Sequence, residues 1–156
     1  MNEMYLVNYS VKGIKTLDEL VSLSFYKKTI TKNLDTHNYN IKGIYGMNGS
    51  GKSAIISSVD ILRNIITESH YLNNPLVQEN LDAIINKKLK ELYMEVDYMV
   101  NVENGPVLFR YKVILSKDDV KKYIISNEQL FFKKATSKSE AMKKIFEVAD
   151  GKIIYM

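Results

Sequence analysis

Residues 46–53 read Gly-Met-Asn-Gly-Ser-Gly-Lys-Ser, and the hydrophobic period of the chain changes across them. Upstream, residues 41–45 (IKGIY) are short and apolar and predict a strand that runs straight into Gly46. Downstream, Ile55, Val59, Leu62 and Ile66 recur at helical spacing, with Ile56 and Ile65 widening the stripe. Ser57, Asp60, Arg63 and Asn64 fall on the opposite side. A glycine-rich turn between a strand and an amphipathic helix restricts the chain to folds that present a helix N-terminus at a strand end. Gly46, Gly49 and Gly51 lack a Cβ, so the backbone there can curl with its N–H groups turned inward, as an anion-binding nest.

The spacing is that of a complete Gly-x-x-x-x-Gly-Lys-Ser phosphate loop. A phosphate chain carries several negative charges and needs donors that approach closely. The helix opening near Lys52 adds unbonded N–H groups and the positive end of its dipole. Lys52 is expected to reach the β- and γ-phosphates and Ser53 to offer its hydroxyl to Mg²⁺. The nucleotide-binding set is therefore Gly46, Met47, Asn48, Gly49, Ser50, Gly51, Lys52, Ser53 and Ala54, with Ser53 as the metal contact. A guanine-specific GTPase would also need an Asp-x-x-Gly switch and an Asn-Lys-x-Asp base reader. No aspartate here has a glycine three positions on, and Asn86-Lys87 continues as Lys88-Leu89. The expected ligands are ATP and Mg²⁺.

The rest of the chain has a mixed pattern. Residues 4–11 and 20–25 read as strands, and the helix after the loop should end near Ser69. Residues 80–89 suggest a second helix carrying Leu81, Ile84, Ile85 and Leu89 on one face. From Leu92 onward alternation dominates. Residues 93–100 and 107–115 flank a turn at Glu103, Asn104, Gly105 and Pro106, residues 122–132 form a further strand, and Asp150-Gly151 closes a last hairpin. Residues 137–143 read as a short helical turn.

Composition narrows the classes of chemistry. Cysteine is absent, which excludes disulfide scaffolds, cysteine metal sites and cysteine nucleophiles. Two histidines make a histidine zinc site a poor fit, and His37 and His70 sit in polar loops. No apolar run approaches the roughly 20 residues that span a bilayer, and no secretory signal opens the chain, so the expected compartment is the cytoplasm. The net charge of +4 comes from lysines scattered in pairs, with Arg63 and Arg110 the only arginines. Such a surface does not argue for nucleic acid, although a phosphate-rich partner stays compatible with it.

The loop resembles the Gly-x-Asn-Gly-x-Gly-Lys-Ser form of ABC-type ATPases in the RecF, SMC and OLD-nuclease lineage. It is most similar to bacterial AAA-type ATPases of that lineage, many of them associated with phage defence or abortive infection. Residues 7–25 resemble their opening β-hairpin, and Phe109-Arg110-Tyr111 with Asn127-Glu128-Gln129-Leu130 resembles their antiparallel lobe. The resemblance implies an α/β (mixed α+β) P-loop NTPase fold, as the N-terminal lobe of an ABC-type head with an antiparallel β-subdomain. It implies one lobe over 1–156: hairpin and loop strand in 1–45, loop and helix in 46–69, mostly antiparallel sheet in 70–156. It also implies ATP sandwiched against a second head or a C-terminal half, and nucleic-acid work or phage defence by the complete ATPase.

The departures concern catalysis. Tyr93-Met94-Glu95-Val96-Asp97 and Phe146-Glu147-Val148-Ala149-Asp150 both fail the family's four apolar residues followed by Asp-Glu, and no Leu-Ser-Gly-Gly-Gln-like signature is present. Gln78 or Gln129 could stand for the glutamine that senses γ-phosphate, against the plainer reading of a surface glutamine. The apolar last residues, KIIYM, suggest a chain cut short before its remaining strands. Binding with negligible turnover by this chain alone is the expectation. The alternatives are a small P-loop kinase, for which two arginines make a poor lid, and a nucleotide-binding regulatory subunit without catalysis.

Overall fold

Strands read from two-residue alternation join here into a single sheet. The computed structural model describes residues 4–25, 41–47, 49, 51–136 and 140–156. Its strands are β1 (Met4–Lys12), β2 (Val21–Ser24), β3 (Glu91–Val102), β4 (Gly105–Lys117), β5 (Tyr123–Lys134), β6 (Lys143–Ala149) and β7 (Lys152–Tyr155). They lie in the order β2-β1-β3-β4-β5-β6-β7, and each neighbouring pair is antiparallel. Two α-helices, α1 (Lys52–Thr67) and α2 (Pro75–Ile84), both fall between β2 and β3, with a 3₁₀ turn at Tyr71–Asn73.

This architecture corrects the expected fold class. An α/β P-loop NTPase lobe needs parallel ladders joined by crossover helices. The described residues instead form a seven-stranded antiparallel sheet with two short helices. Two features remove the parallel pairing. Residues 41–47 carry neither strand nor helix, so the strand expected to feed the glycine loop does not form. The crossover through α1 and α2 brings β3 back beside β1, antiparallel to it, so β1 separates β2 from β3 and they share no ladder.

One face of the sheet is apolar because its rows align. Val11 pairs with Met94 and Met94 with Val113, and these side chains are almost fully buried with Leu92, Leu115 and Tyr123. Ala54, Ile55, Ile61 and Leu62 of α1 close over them, and Leu81 and Ile85 complete the core. Burying a side chain of this size is worth about 1.5–3 kcal/mol. The opposite face is polar but well paired. Arg110 donates to both carboxylate oxygens of Asp97, at 2.7 and 2.8 Å, and Lys112 and Arg110 both lie within ion-pair distance of Glu95. Asp97 and Glu95 are thereby buried without being left unpaired.

The buried stripe of α1 is rotated from the one read in the sequence. Ile56, Val59 and Ile66 are exposed, whereas Ala54, Ile55, Ser58, Ile61 and Leu62 face the sheet. Ser58 is buried with its hydroxyl satisfied. Its hydroxyl donates to the Ile55 carbonyl at 2.7 Å and accepts from the Tyr9 phenol at 2.8 Å, so a polar residue is satisfied inside the core. Burial also pushes the Tyr9 phenol above its ordinary pKa. Tyr9→Phe should cost about 1 kcal/mol, because Ser58 keeps its Ile55 bond and no donor is orphaned. A correspondingly small fall in the urea midpoint is the expected reading.

Helix α2 starts earlier than its hydrophobic pattern indicated. Asn74 caps it by accepting from the Leu76 N–H at 3.0 Å, and Pro75 occupies the first helical position. The helical turn expected at 137–143 is not observed in its described part: 140–142 are irregular and Lys143 opens β6, while 137–139 lie outside the described residues.

Candidate phosphate-binding loop

The irregular segment 41–47 is tethered through Ile44, which packs against the core, while Tyr45 and Met47 stay exposed. Past it, Gly49 (φ +84°) and Gly51 (φ +89°) both take the left-handed conformation that favours glycine. Gly51 is the N-cap of α1, and its carbonyl accepts the first helical bond from the Ile55 N–H at 3.2 Å. A Cβ at Gly51 would lie 2.5 Å from Leu17 Cδ2, a side-chain tip that would have to turn aside, so it is the positive φ that favours glycine there. Asn48 and Ser50, expected in the cradle, lie outside the described residues.

Lys52 begins the helix, and its side chain folds back over the loop. Its ammonium donates to the carbonyls of Gly46 at 2.5 Å and Met47 at 2.6 Å. The charge therefore sits over the loop, in an exposed position. Gly49, Gly51, Lys52 and Ser53 line a cleft of about 300 Å³ together with Lys15 and Thr16 from the turn between β1 and β2. Ser53 is exposed at the mouth, and its carbonyl accepts from the Ser57 hydroxyl one turn on. Ala54 has its methyl fully buried in the core, so anything it offers a phosphate comes from its backbone N–H. The structure thus gathers Gly46, Met47, Gly49, Gly51, Lys52 and Ser53 at one helix N-terminus, the arrangement that suits an anion.

Lys15 and Thr16 escaped the sequence reading. They are separated from the loop by at least thirty positions, and a lysine in a short turn has no local signature. Their place beside Gly51 follows only from the strand pairing that docks this turn on the helix.

The two candidate glutamines lie elsewhere. Gln78 clasps α2 to β5: its amide donates to the carbonyls of Leu72 and Tyr123, and its oxygen accepts from the Tyr123 N–H at 2.7 Å. It borders a separate, larger cleft of about 700 Å³ with Asp82, Lys117 and Lys122. Gln129 lies on β5 and donates to Glu147 at 2.8 Å. Asp118 accepts from the backbone N–H groups of Val120 and Lys122 and so shapes the β4–β5 turn. His37 lies outside the described residues, and His70 precedes the 3₁₀ turn. Among the described residues no group of three or more His, Asp or Glu side chains is placed to hold a metal ion. Ser53, the metal contact expected from the sequence, is exposed at the loop.

Glu147 gives the polar face a pH dependence. A hydrogen bond from Lys144, followed by those from Gln129 and Asn127, holds its carboxyl down to about 2, against an ordinary 4.5. A depressed carboxylate stabilises the fold in full above its unfolded pKa, and that contribution disappears as pH falls through the folded one. Thermal stability should therefore drop between about pH 5 and 2. Glu147→Gln should flatten that limb in melting curves recorded across the range.

Among the described residues no helix is long and apolar enough to cross a membrane. No family model, curated protein or solved structure matches this chain.

Proposed function

We propose that the chain binds the phosphate chain of a nucleoside triphosphate, ATP with Mg²⁺, at the loop 46–53. The observation that carries this reading is the Lys52 ammonium, held over the loop by two carbonyls at the opening of α1. Left-handed Gly49 and Gly51 and the exposed Ser53 beside it supply the other parts a phosphate needs: close backbone approach, helix N–H groups and a hydroxyl for the metal. The antiparallel sheet sets aside the parallel-sheet fold that the resemblance implied, so the wider role rests on the loop motif. On that motif, the chain acts as the ATP-binding part of an ABC- or AAA-type ATPase, in DNA repair or phage defence. A second head or a further segment would supply the catalytic acid, and nucleic acid would be a partner of the assembly rather than of this surface.

Titration of Mg-ATP and Mg-GTP into the purified chain, with phosphate release followed in the same samples, tests the reading. Saturable binding that prefers ATP and shows no steady release is expected. Steady turnover by the chain alone would favour the phosphotransferase alternative, and absence of binding would end the proposal.

A further inference from the structure

The cleft at the loop has a second wall, and that wall is built around a lysine in an unfavourable backbone conformation. Lys15 has φ +50°, in the left-handed region where a side chain crowds the backbone and glycine or asparagine is the usual occupant. The turn is pinned on several sides. The Lys15 N–H donates to the Ile84 carbonyl at 2.6 Å, the Asn86 side-chain amide donates to the Lys15 carbonyl at 2.9 Å, and the Asn86 N–H donates to the Gly13 carbonyl at 2.9 Å. Beside them, Ile14 and Ile85 are buried against each other at an isolated bridge. Asn86 is itself held, because its side-chain oxygen accepts from the N–H groups of Lys88 and Leu89. A conformation this disfavoured persists because its surroundings over-determine it, and such strain collects at binding sites.

We infer that the Lys15–Thr16 turn is the second jaw of the phosphate site: Lys15 supplies a further cation to the phosphate chain, opposite the loop and helix that carry Lys52, and Asn86 is the residue that positions it. The inference rests on the phosphate-loop reading above. Lys15 and Thr16 are exposed and line the same cleft as Gly49, Gly51, Lys52 and Ser53. Leu17 of the same turn packs where a Gly51 Cβ would stand, so the turn and the glycine loop meet directly. A polyphosphate entering the cleft therefore meets positive charge from two segments far apart in sequence.

Inorganic tripolyphosphate, titrated calorimetrically into the full chain, reads the site without a base. Lys15→Gly should weaken its binding by about 5- to 10-fold, the loss of a charge-assisted contact. The same change should raise the melting temperature by about 1–3 °C, because glycine relieves the left-handed residue. A merely structural lysine would not give opposite signs. Asn86→Ala should weaken binding in the native background and add no further loss in the Lys15→Gly background. Equal, additive losses in both backgrounds would overturn the role of Asn86. If Lys15→Gly binds like the native chain while Lys52→Ala does not, the second jaw is refuted and the loop reading stands. If the native chain binds neither tripolyphosphate nor Mg-ATP, both fall together.

Discussion

Lys52→Ala is expected to lower the affinity for Mg-ATP by at least about 30-fold while leaving the melting temperature within about 1 °C of the native value. The two halves of this result have different physical origins. The ammonium makes its bonds to the Gly46 and Met47 carbonyls in an exposed position, so water replaces it there at little cost. Toward a triphosphate it provides the charge the motif requires. Charge-assisted hydrogen bonds of this kind are worth about 1.5–3 kcal/mol each. Losing about 3 kcal/mol, one bond at the upper figure or two at the lower, corresponds to a factor of about 100 in the dissociation constant, above the 30-fold bound. Lys52→Arg keeps the charge but replaces a compact ammonium with a planar fork, and should recover only part of the affinity. Calorimetric titration beside a thermal melt gives both quantities. An unchanged affinity in Lys52→Ala would remove the loop from the nucleotide site.

Gly13→Ala is expected to destabilise the chain by about 3–5 kcal/mol, more than the same change at Gly43, Gly49, Gly51, Gly105 or Gly151. Gly13 follows β1 at φ +88°, and an added Cβ would lie 2.0 Å from the Glu91 carbonyl oxygen. It would also lie 3.1 Å from the Glu91 carbonyl carbon and 3.4 Å from Leu92 Cα. All three atoms are backbone at the start of β3, so no side chain can turn aside. The methyl must either push β3 from β1 or move Ile14, which is fully buried beside it. Gly151 is the control, since an added Cβ there meets nothing within 4 Å and only its φ of +72° is strained. Gly151→Ala should cost about 1 kcal/mol. Urea unfolding of both variants separates them, and a loss below about 1 kcal/mol for Gly13→Ala would mean the β1–β3 contact is looser than described.

The two predictions rest on information that reaches the reader by different routes. The glycine spacing of 46–53, the lysine that ends it and the helical stripe beginning directly after it are local patterns, each decided within a few residues by φ freedom or by the 3.6-residue period. Turn chemistry is equally local. Asn104-Gly105 where β3 turns into β4, and Asp150-Gly151 between β6 and β7, place hairpins because Gly105, Asp150 and Gly151 take positive φ, which glycine and aspartate accept where others resist it. The same kind of signal stands at Asn74-Pro75, where a cap and a first-turn proline outrank an apolar stripe that begins later.

Pairing is not local, and there the reading failed. A run such as residues 41–45 has the composition of a strand, but a strand exists only when a neighbour takes up its backbone hydrogen bonds, and in this chain no ladder includes it. That one difference separates an α/β lobe from an antiparallel sheet. The buried Ser58 hydroxyl meets a phenol forty-nine positions away. Lys15 gained its place at the cleft through an asparagine seventy-one positions on. Periodicity and glycine freedom act along a few consecutive residues and are written in them. Strand partners, the rotation of a helix on its sheet and the second wall of a cleft arise from contacts between distant segments, and only the folded chain supplies those.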